Sequence, residues 1–226
     1  MIKTIFCSSL FLLLLSCQKD NQVVEPENGR SPEKTTEIAS KNKESVVTEK
    51  IKVYTSKYLA IENVLVNNHR IILEQKEFIN IYPKYDSTRT TLRECGHPLE
   101  WLDEKWMVKT YGEKDENAGT FARFNGEITR FSTKGLNFDS NNHLVIFDSG
   151  KAKGNTFLIV SDQIMLDENT NISDFKKLFP KIEMEETEDK DTVRFRLNIA
   201  ENLDEAFLFY FKNGKLEYYT LWWLLC

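Results

Sequence analysis

The stretch FLFYFKNGKLEYYTLW (residues 207–222) decides the fold class of this chain. Two runs rich in aromatic residues flank Asn213-Gly214, and Asn-Gly favours a type I′ turn because both central residues need positive φ. Such a turn joins two antiparallel strands and pairs Phe211 with Leu216, Phe209 with Tyr218 and Phe207 with Thr220. We therefore predict a hairpin whose phenylalanine row (Phe207, Phe209 and Phe211) faces the core.

Strand signals also dominate the rest of residues 51–226. FARFNGEITRF (121–131) places a second Asn-Gly between aromatic and β-branched residues and predicts a second hairpin. Shorter apolar segments predict further strands at 58–66, 69–74, 78–82, 135–139, 143–148 and 156–162. The sequence therefore predicts a single α+β domain over 51–226, made mainly of antiparallel sheet.

Two short helices are predicted. In NTNISDFKKLFPK (169–181), Asn171 is a suitable N-cap and Pro180 ends the helix. In DSTRTTLRECGHP (86–98), a helix would begin at Asp86 or Ser87 and end at Gly96. The order of strand, polar loop, helix and proline therefore predicts a weak internal duplication between 78–98 and 163–180.

This order of elements resembles the small β-plus-helix repeats of outer-membrane assembly lipoproteins and of the β-lactamase inhibitor protein. In those folds the helices pack on one face of an antiparallel sheet. The likeness is one of fold and implies no particular function.

The first residues have the layout of an export signal. In MIKTIFCSSLFLLLLSC (1–17), Lys3 precedes an apolar core at 10–15, which Ser16 follows. About twelve mostly apolar positions are too few for a spanning helix, which needs ~20. The end of the segment, Leu14-Leu15-Ser16-Cys17, resembles the lipobox of bacterial lipoproteins. The resemblance implies a signal peptide over 1–16 and a fatty-acylated Cys17, palmitate being a typical chain, that attaches the mature protein to a membrane.

The residues after Cys17 add information about location. CQKDN (17–21) resembles the tag of lysine and acidic residues found in surface-exposed lipoproteins of the Bacteroidota. The resemblance implies anchoring at the outer membrane with exposure at the cell surface; a periplasm-facing position is the alternative. Residues 18–50 contain no aromatic residue and no leucine, so the sequence predicts a disordered tether over 17–50.

Four cysteines occur in the chain, and processing would leave two for folding. Cys7 would leave with the signal and Cys17 would carry lipid. Cys95 and Cys226 then remain in a compartment that permits disulfides. A bridge between them is one hypothesis, and two buried free thiols are the other.

Residue patterns for metal binding and catalysis are missing from the sequence. His69, His97 and His143 are widely separated, and Cys95-x-His97 lacks a second pair of ligands at zinc-like spacing. The sequence contains neither G-x-S-x-G nor H-E-x-x-H. We therefore predict no catalytic residue, no metal and no cofactor. The net charge of −5 also argues against nucleic acid as a partner.

The four tryptophans, Trp101, Trp106, Trp222 and Trp223, admit two interpretations. They could form a ligand-binding patch, because tryptophan is enriched at binding hot spots, or they could pack in the core, which the sheet-rich C-terminus favours. Alternation along a strand places Trp222 and Trp223 on opposite faces. It predicts that Trp223 lies opposite the phenylalanine row.

These features together predict a non-catalytic interaction module at the cell envelope or surface. It would be held on the membrane by lipid on Cys17 and would contact an unknown protein or glycan. The alternative is an envelope-located immunity or inhibitor protein that blocks a toxin or hydrolase with an acidic loop such as 183–191. An uncharacterised enzyme is the third hypothesis.

Substitution of Cys17 tests the lipid anchor. We expect Cys17→Ala to abolish labelling by a clickable palmitate analogue and to leave the signal uncleaved, because the thiol is the site of acylation. Gel fluorescence and intact mass measure both effects. Cys7→Ala is the matched control and should keep full labelling, whereas a labelled Cys17→Ala protein would contradict the prediction.

Overall fold

The computed structural model describes residues 52–115 and 117–225. The predicted signal at 1–16, Cys17, the tether to residue 50, and Cys226 lie outside the described residues, so the statements about them stay predictions. The described part confirms the α+β class, with mainly antiparallel sheet and four short α-helices. Within it, no helix combines the length and the apolar character needed to cross a bilayer.

The helices and strands are as follows. The helices are α1 (Gln75–Ile81), α2 (Leu99–Leu102), α3 (Glu104–Tyr111) and α4 (Ile172–Leu178), with a 3₁₀ turn at Ile61–Asn63. The strands are β1 (Val64–Val66), β2 (His69–Arg70), β3 (Ile72–Glu74), β4 (Ser87–Leu92), β5 (Lys114–Asp115), β6 (Thr120–Phe121), β7 (Glu127–Thr133), β8 (Leu136–Ser140), β9 (Leu144–Lys151), β10 (Phe157–Ile159), β11 (Ile164–Leu166), β12 (Met184–Glu186), β13 (Thr192–Asn198), β14 (Ala206–Lys212) and β15 (Lys215–Trp222).

A large antiparallel sheet organises the domain. Its strands follow the order β12-β13-β14-β15-β9-β8-β7-β4, and β3 pairs with the first half of β9. A second sheet has the order β11-β10-β1-β2, and β5 pairs with β6. The ring of Phe157 in β10 meets those of Phe207, Phe209 and Tyr219 at centroid distances of 5.3, 5.0 and 5.2 Å. The smaller sheet thus packs on the face that carries the phenylalanine row, which we call the inner face.

The hairpin at 207–222 is confirmed, with one change of register. Asn213 and Gly214 have φ values of 50° and 81°, as a type I′ turn requires, and Phe211 pairs with Leu216. A β-bulge then leaves Glu217 without a partner, so that Phe209 pairs with Tyr219 and Phe207 with Leu221. The predicted pairs of Phe209 with Tyr218 and of Phe207 with Thr220 are therefore wrong, because the bulge shifts the strand by one residue.

The helix predicted after Asn171 is also confirmed. The Asn171 Oδ1 accepts a hydrogen bond from the backbone N–H of Asp174 at 2.9 Å, which satisfies an otherwise unpaired N–H group of α4. Phe175 of α4 is fully buried and lies against Phe195, Phe209 and Phe211. The phenylalanine row thus forms a core with both α4 and the smaller sheet.

Two predicted elements have the opposite secondary structure. The predicted strand at 78–82 lies mostly in α1, because helical spacing buries Phe78 on Phe131 and Phe138 while Ile79 points to solvent. The predicted helix at 86–96 is instead strand β4, since its threonines suit a strand that pairs with β7. The predicted duplication between 78–98 and 163–180 is not found, because the two segments differ in the order of their elements. In the first, helix α1 precedes strand β4; in the second, strand β11 precedes helix α4.

The second predicted hairpin, at 121–131, does not form. Gly126 has the expected positive φ of 79°, but β6 pairs with β5 and β7 pairs with β4 and β8. Phe121 and Phe124 are both buried, and the ring of Phe124 lies against Tyr111 of α3. A turn that buries Phe121 and Phe124, with Phe124 against helix α3, therefore replaces the expected strand.

Truncation of Phe157 tests the contact between the two sheets. Phe157→Ala should lower the free energy of unfolding by about 3–5 kcal/mol, because it leaves a cavity among three aromatic rings. Urea unfolding of the protein without its signal segment measures the change. Met165→Ala in the neighbouring strand β11 is the control; it is 60% exposed and should cost less than about 0.5 kcal/mol. Equal losses in both variants would contradict this account of the packing.

Candidate functional site

The face of the large sheet opposite the phenylalanine row, the outer face, has two parts. One part contacts residues 93–111, which we call the cover segment and which contain α2 and α3; these residues meet Asp139 of β8 and Asn141 and His143 between β8 and β9. Leu99 and Met107 of this segment are fully buried. Over β13, β14 and β15, the outer-face side chains Arg194, Tyr210 and Tyr218 are instead only half-buried.

A buried carboxylate attaches the cover segment to the sheet. Asp139 follows Phe138 in β8 and so points to the outer face, where its side chain is 2% exposed. Arg130 donates to its two oxygens at 2.7 and 2.8 Å. Arg93 and His97, both in the cover segment, contact Asp139 Oδ2 at 3.1 and 3.2 Å. Burial opposes ionisation of Asp139, but the hydrogen bonds from Arg130 and His97 outweigh it and hold its pKa well below its usual range.

His97 helps to hold the cover segment on the sheet. Its Nε2 faces Asp139, and its Nδ1 accepts the backbone N–H of Leu99 at 3.2 Å. Both ring nitrogens are thus occupied, and neither is available to take a proton from a substrate. Asp148 behaves differently: burial raises its pKa, although its Oδ1 accepts a hydrogen bond from Arg130 at 2.8 Å.

A second histidine fixes the other end of the cover segment. The Nδ1 of His143 lies 2.8 Å from Oδ2 of Asp103, and its ring stacks on Trp106 at a centroid distance of 5.0 Å. An Asp–His pair can support a general base, but no hydroxyl hydrogen-bonds this histidine in the described part of the chain. His69, the third histidine, lies apart beside Tyr82, and residues 52–115 and 117–225 contain no cluster of three or more metal-ligating side chains.

The uncovered part of the outer face carries an ordered set of large polar and aromatic side chains. We call it the aromatic–arginine face and define it as Arg194, Arg196, Tyr210, Tyr218 and Trp222. Arg194, Tyr210 and Tyr218 are cross-strand neighbours in β13, β14 and β15. The two tyrosine rings stack at 4.2 Å, and the guanidinium of Arg196 lies 5.0 Å from the centroid of the Trp222 ring. The strand register therefore fixes the whole face.

The acidic loop at 183–191 is tied to this face. Glu185, in β12, pairs with Arg194 at 2.5 Å and with Arg196 at 3.4 Å. Asp189 accepts hydrogen bonds from Asp191 and Thr192, which hold its pKa below its usual value, and it lies 3.4 Å from Lys212. Part of the negative charge of the loop thus stabilises the domain itself.

The tryptophans fit neither interpretation completely. Trp106 stacks on His143, whereas Trp101 is 50% exposed and contacts Trp223 at 6.0 Å. Within β15, the bulge at Glu217 places the side chain of Trp222 on the outer face, the position that the sequence predicted for Trp223. Because β15 ends at Trp222, strand alternation does not set the direction of the Trp223 side chain. The Trp223 ring instead contacts Trp101 of the cover segment. Trp101 and Trp223 thus form an aromatic pair of their own, separate from the contact of Trp222 with Arg196.

A groove of about 820 Å³ adjoins Tyr218 at the other end of the aromatic–arginine face. Its lining includes Ser132, Asn137 and Ser149 from β7, β8 and β9. These side chains lie next to one another across the strands, with Ser132 paired to Asn137 and Asn137 to Ser149. The rim carries Lys151, Lys153, Lys212 and Lys215 together with Asp86, Glu168 and Glu217. Tyr218 thus belongs both to the groove and to the aromatic–arginine face.

Cys95, in the cover segment, is disulfide-bonded. Cys226 lies outside the described residues, as do Cys7 and Cys17, so the pairing of Cys95 with Cys226 stays a prediction. The Trp101 and Trp223 ring centroids lie 6.0 Å apart, so the residue that follows β15 lies close to the cover segment.

The chain matches no protein-family model, no curated protein and no solved structure.

The aromatic–arginine face could have been anticipated only in part. Alternation in TVRFRLN (192–198) separates Arg194 and Arg196 from Phe195 and Leu197, which indicates one polar and one buried side. The cover segment also carries a signal, since Leu99, Leu102, Trp106 and Met107 have helical spacing and Gly112 follows them. Which part of the sheet that segment covers depends on Asp139, and no local pattern predicts its contacts.

Replacement of Asp139 tests the attachment of the cover segment. Asp139→Asn should lower the free energy of unfolding at pH 7 by about 3–5 kcal/mol, because it removes the buried carboxylate that pairs with the partly buried guanidinium groups of Arg93 and Arg130. The pKa of Asp139 is depressed in the folded state, so its contribution is present above the unfolded value of ~3.9 and is lost as pH falls below it. The difference between wild type and variant should therefore shrink below about pH 4.

Urea unfolding at pH 7 and at low pH measures this difference. Asp148→Asn is the matched control, because burial raises the pKa of Asp148 and its ionised form is less favoured in the fold. We expect a smaller loss for Asp148→Asn at pH 7. A difference between wild type and Asp139→Asn that does not change with pH would contradict the assigned role.

Proposed function

We propose that this protein is a lipid-anchored, non-catalytic binding module of the bacterial outer membrane. It would contact its partner through the aromatic–arginine face. The lipobox-like Leu14-Leu15-Ser16-Cys17 and the tag-like residues that follow it support the location at the cell surface. A flexible tether of the length of 18–50 would span ~30 Å, enough to hold the domain away from the membrane.

The observation that carries the proposal is the composition and order of the aromatic–arginine face. Tryptophan, tyrosine and arginine are the residues most enriched at binding hot spots. Here they stand half-exposed on one side of a sheet, already fixed by stacking of Tyr210 on Tyr218 and by the contact of Arg196 with Trp222. Side chains ordered before binding lose little conformational entropy when a partner docks.

The environment of His97 supports a structural role for this residue in preference to a catalytic one. His97 uses both ring nitrogens within the domain, and the Asp103–His143 pair stacks on Trp106. The acidic loop at 183–191 belongs to the hypothesis of an immunity or inhibitor protein. Glu185 and Asp189 of this loop are paired within the domain, with Arg194 and Arg196 and with Lys212, whereas Glu186 and Glu188 are exposed.

Site-specific photocrosslinking in intact cells tests the proposal. A photoreactive phenylalanine analogue at Tyr218 should give a discrete adduct, because Tyr218 lies in the proposed contact surface. The same analogue at Met165, which is 60% exposed in β11, is the control and should give none. Immunoblotting of the anchored, full-length protein measures both.

Alanine substitutions link the adduct to the aromatic–arginine face. Arg196→Ala and Trp222→Ala should each weaken partner binding by about 30-fold, the effect of losing a ~2 kcal/mol hot spot, and should reduce the Tyr218 adduct accordingly. Met165→Ala should leave the adduct unchanged. Adducts that form equally from Tyr218 and Met165, or that persist in both alanine variants, would overturn the proposed contact surface.

A further inference from the structure

The floor of the groove beside Tyr218 is a hydrogen-bonded row of small polar side chains. Ser132 Oγ donates to Asn137 Oδ1 at 2.8 Å, Asn137 Nδ2 donates to Ser149 Oγ at 3.0 Å, and Ser149 Oγ donates to Asp148 Oδ2 at 2.8 Å. Hydroxyl and amide groups have both donor and acceptor capacity, and oxygens with spare lone pairs remain along this row. Such a floor suits a ligand that carries many hydroxyl groups.

The wall of the groove is aromatic. Tyr218 lines the groove and packs one ring face on Tyr210 at 4.2 Å, with an interplanar angle of 12°. The stack holds the Tyr218 ring in a fixed orientation at the groove. A rigid aromatic wall beside a hydroxyl-rich floor can accept the apolar face of a sugar ring while the floor contacts its hydroxyl groups.

Three of the four lysines at the rim of the groove make no ion pair in the described part of the chain. Lys151, Lys153 and Lys215 are exposed and make no ion pair in residues 52–115 and 117–225. Lys212, directly opposite Lys215 in the hairpin, has only a 3.4 Å contact with Asp189. Like charges placed opposite each other in a hairpin repel, and an anion between them would relieve that repulsion.

The acidic residues of the rim do not cancel this excess. Asp86 accepts the backbone N–H of Lys134 at 2.8 Å and keeps its negative charge. The carboxylates of the rim, Asp86, Glu168 and Glu217, are one fewer than the four lysines, so a single positive charge remains in excess. The groove is thus locally cationic on a chain whose net charge is −5. That contrast favours an anionic ligand.

We propose that this groove binds an acidic carbohydrate, an oligosaccharide that carries carboxylate groups. Its hydroxyl groups contact Ser132, Asn137 and Ser149, one ring packs on Tyr218, and its carboxylates lie between Lys151 and Lys215. The proposal rests on the proposed binding function and names the chemical class of the partner. The amide and hydroxyl floor favours a carbohydrate over an acidic peptide.

Fluorescence polarisation with labelled oligogalacturonate and the mature, non-lipidated protein tests the proposal. We expect saturable binding of this probe, and binding of a neutral malto-oligosaccharide of equal length that is at least about tenfold weaker. The double variant Lys151→Glu/Lys215→Glu should lower affinity for oligogalacturonate by about tenfold or more, because it reverses two rim charges. Added salt should weaken wild-type binding, since exposed charges are screened.

The matched control is Lys176→Glu/Lys181→Glu, which makes the same charge change at exposed lysines in and beside α4. It should bind the probe as wild type does. Asn137→Ala, which keeps every lysine, should weaken binding of oligogalacturonate without changing its salt dependence. Circular dichroism of each variant confirms that its fold is retained.

Several results would overturn the proposal: no saturable binding of oligogalacturonate, equal affinity for the neutral sugar, or equal losses in the groove and control variants. Equal affinity for a polyglutamate peptide or for single-stranded DNA would show a non-selective anion site and would also overturn it. These outcomes leave the Tyr218 photocrosslink unaffected. Failure of the groove proposal is thereby distinguished from failure of the proposed contact surface.

Discussion

The buried carboxylate of Asp139 is the interaction on which the arrangement of the outer face depends. A charge that is 2% exposed is stable only with close partners, and Arg130, Arg93 and His97 supply them. Because two of these partners belong to the cover segment, the cover is fixed over β7 and β8. Over β13, β14 and β15, outside the cover segment, the side chains of the aromatic–arginine face stay partly exposed.

The bulge at Glu217 has a comparable influence within the hairpin. By adding one residue to β15, it turns Tyr219 into the core, where it meets Phe157, and turns Tyr218 outward, where it stacks on Tyr210. An unbulged strand would reverse these two orientations. The core contact between the sheets and the order of the aromatic–arginine face therefore follow from the same irregularity.

The open face and the groove form a continuous surface through Tyr218. At one end lies Trp222, beside Arg196; at the other lie the polar floor and the lysine rim. The surface offers aromatic planes, fixed guanidinium groups and flexible ammonium groups in sequence. Such a surface is suited to an extended ligand that makes several moderate contacts.

Local signals in the sequence determined the hairpin turn at Asn213-Gly214 and the cap of α4 at Asn171, because both depend on neighbouring residues alone. The lipobox-like junction at Cys17 likewise depends on adjacent residues, and it remains a prediction. Only the tertiary structure decided that 78–82 is helical and 86–96 contains a strand, since burial of Phe78 and pairing with β7 override local propensity. It also decided which sheet face is open, because the contacts of Asp139 join residues 42 and 46 positions apart in the chain.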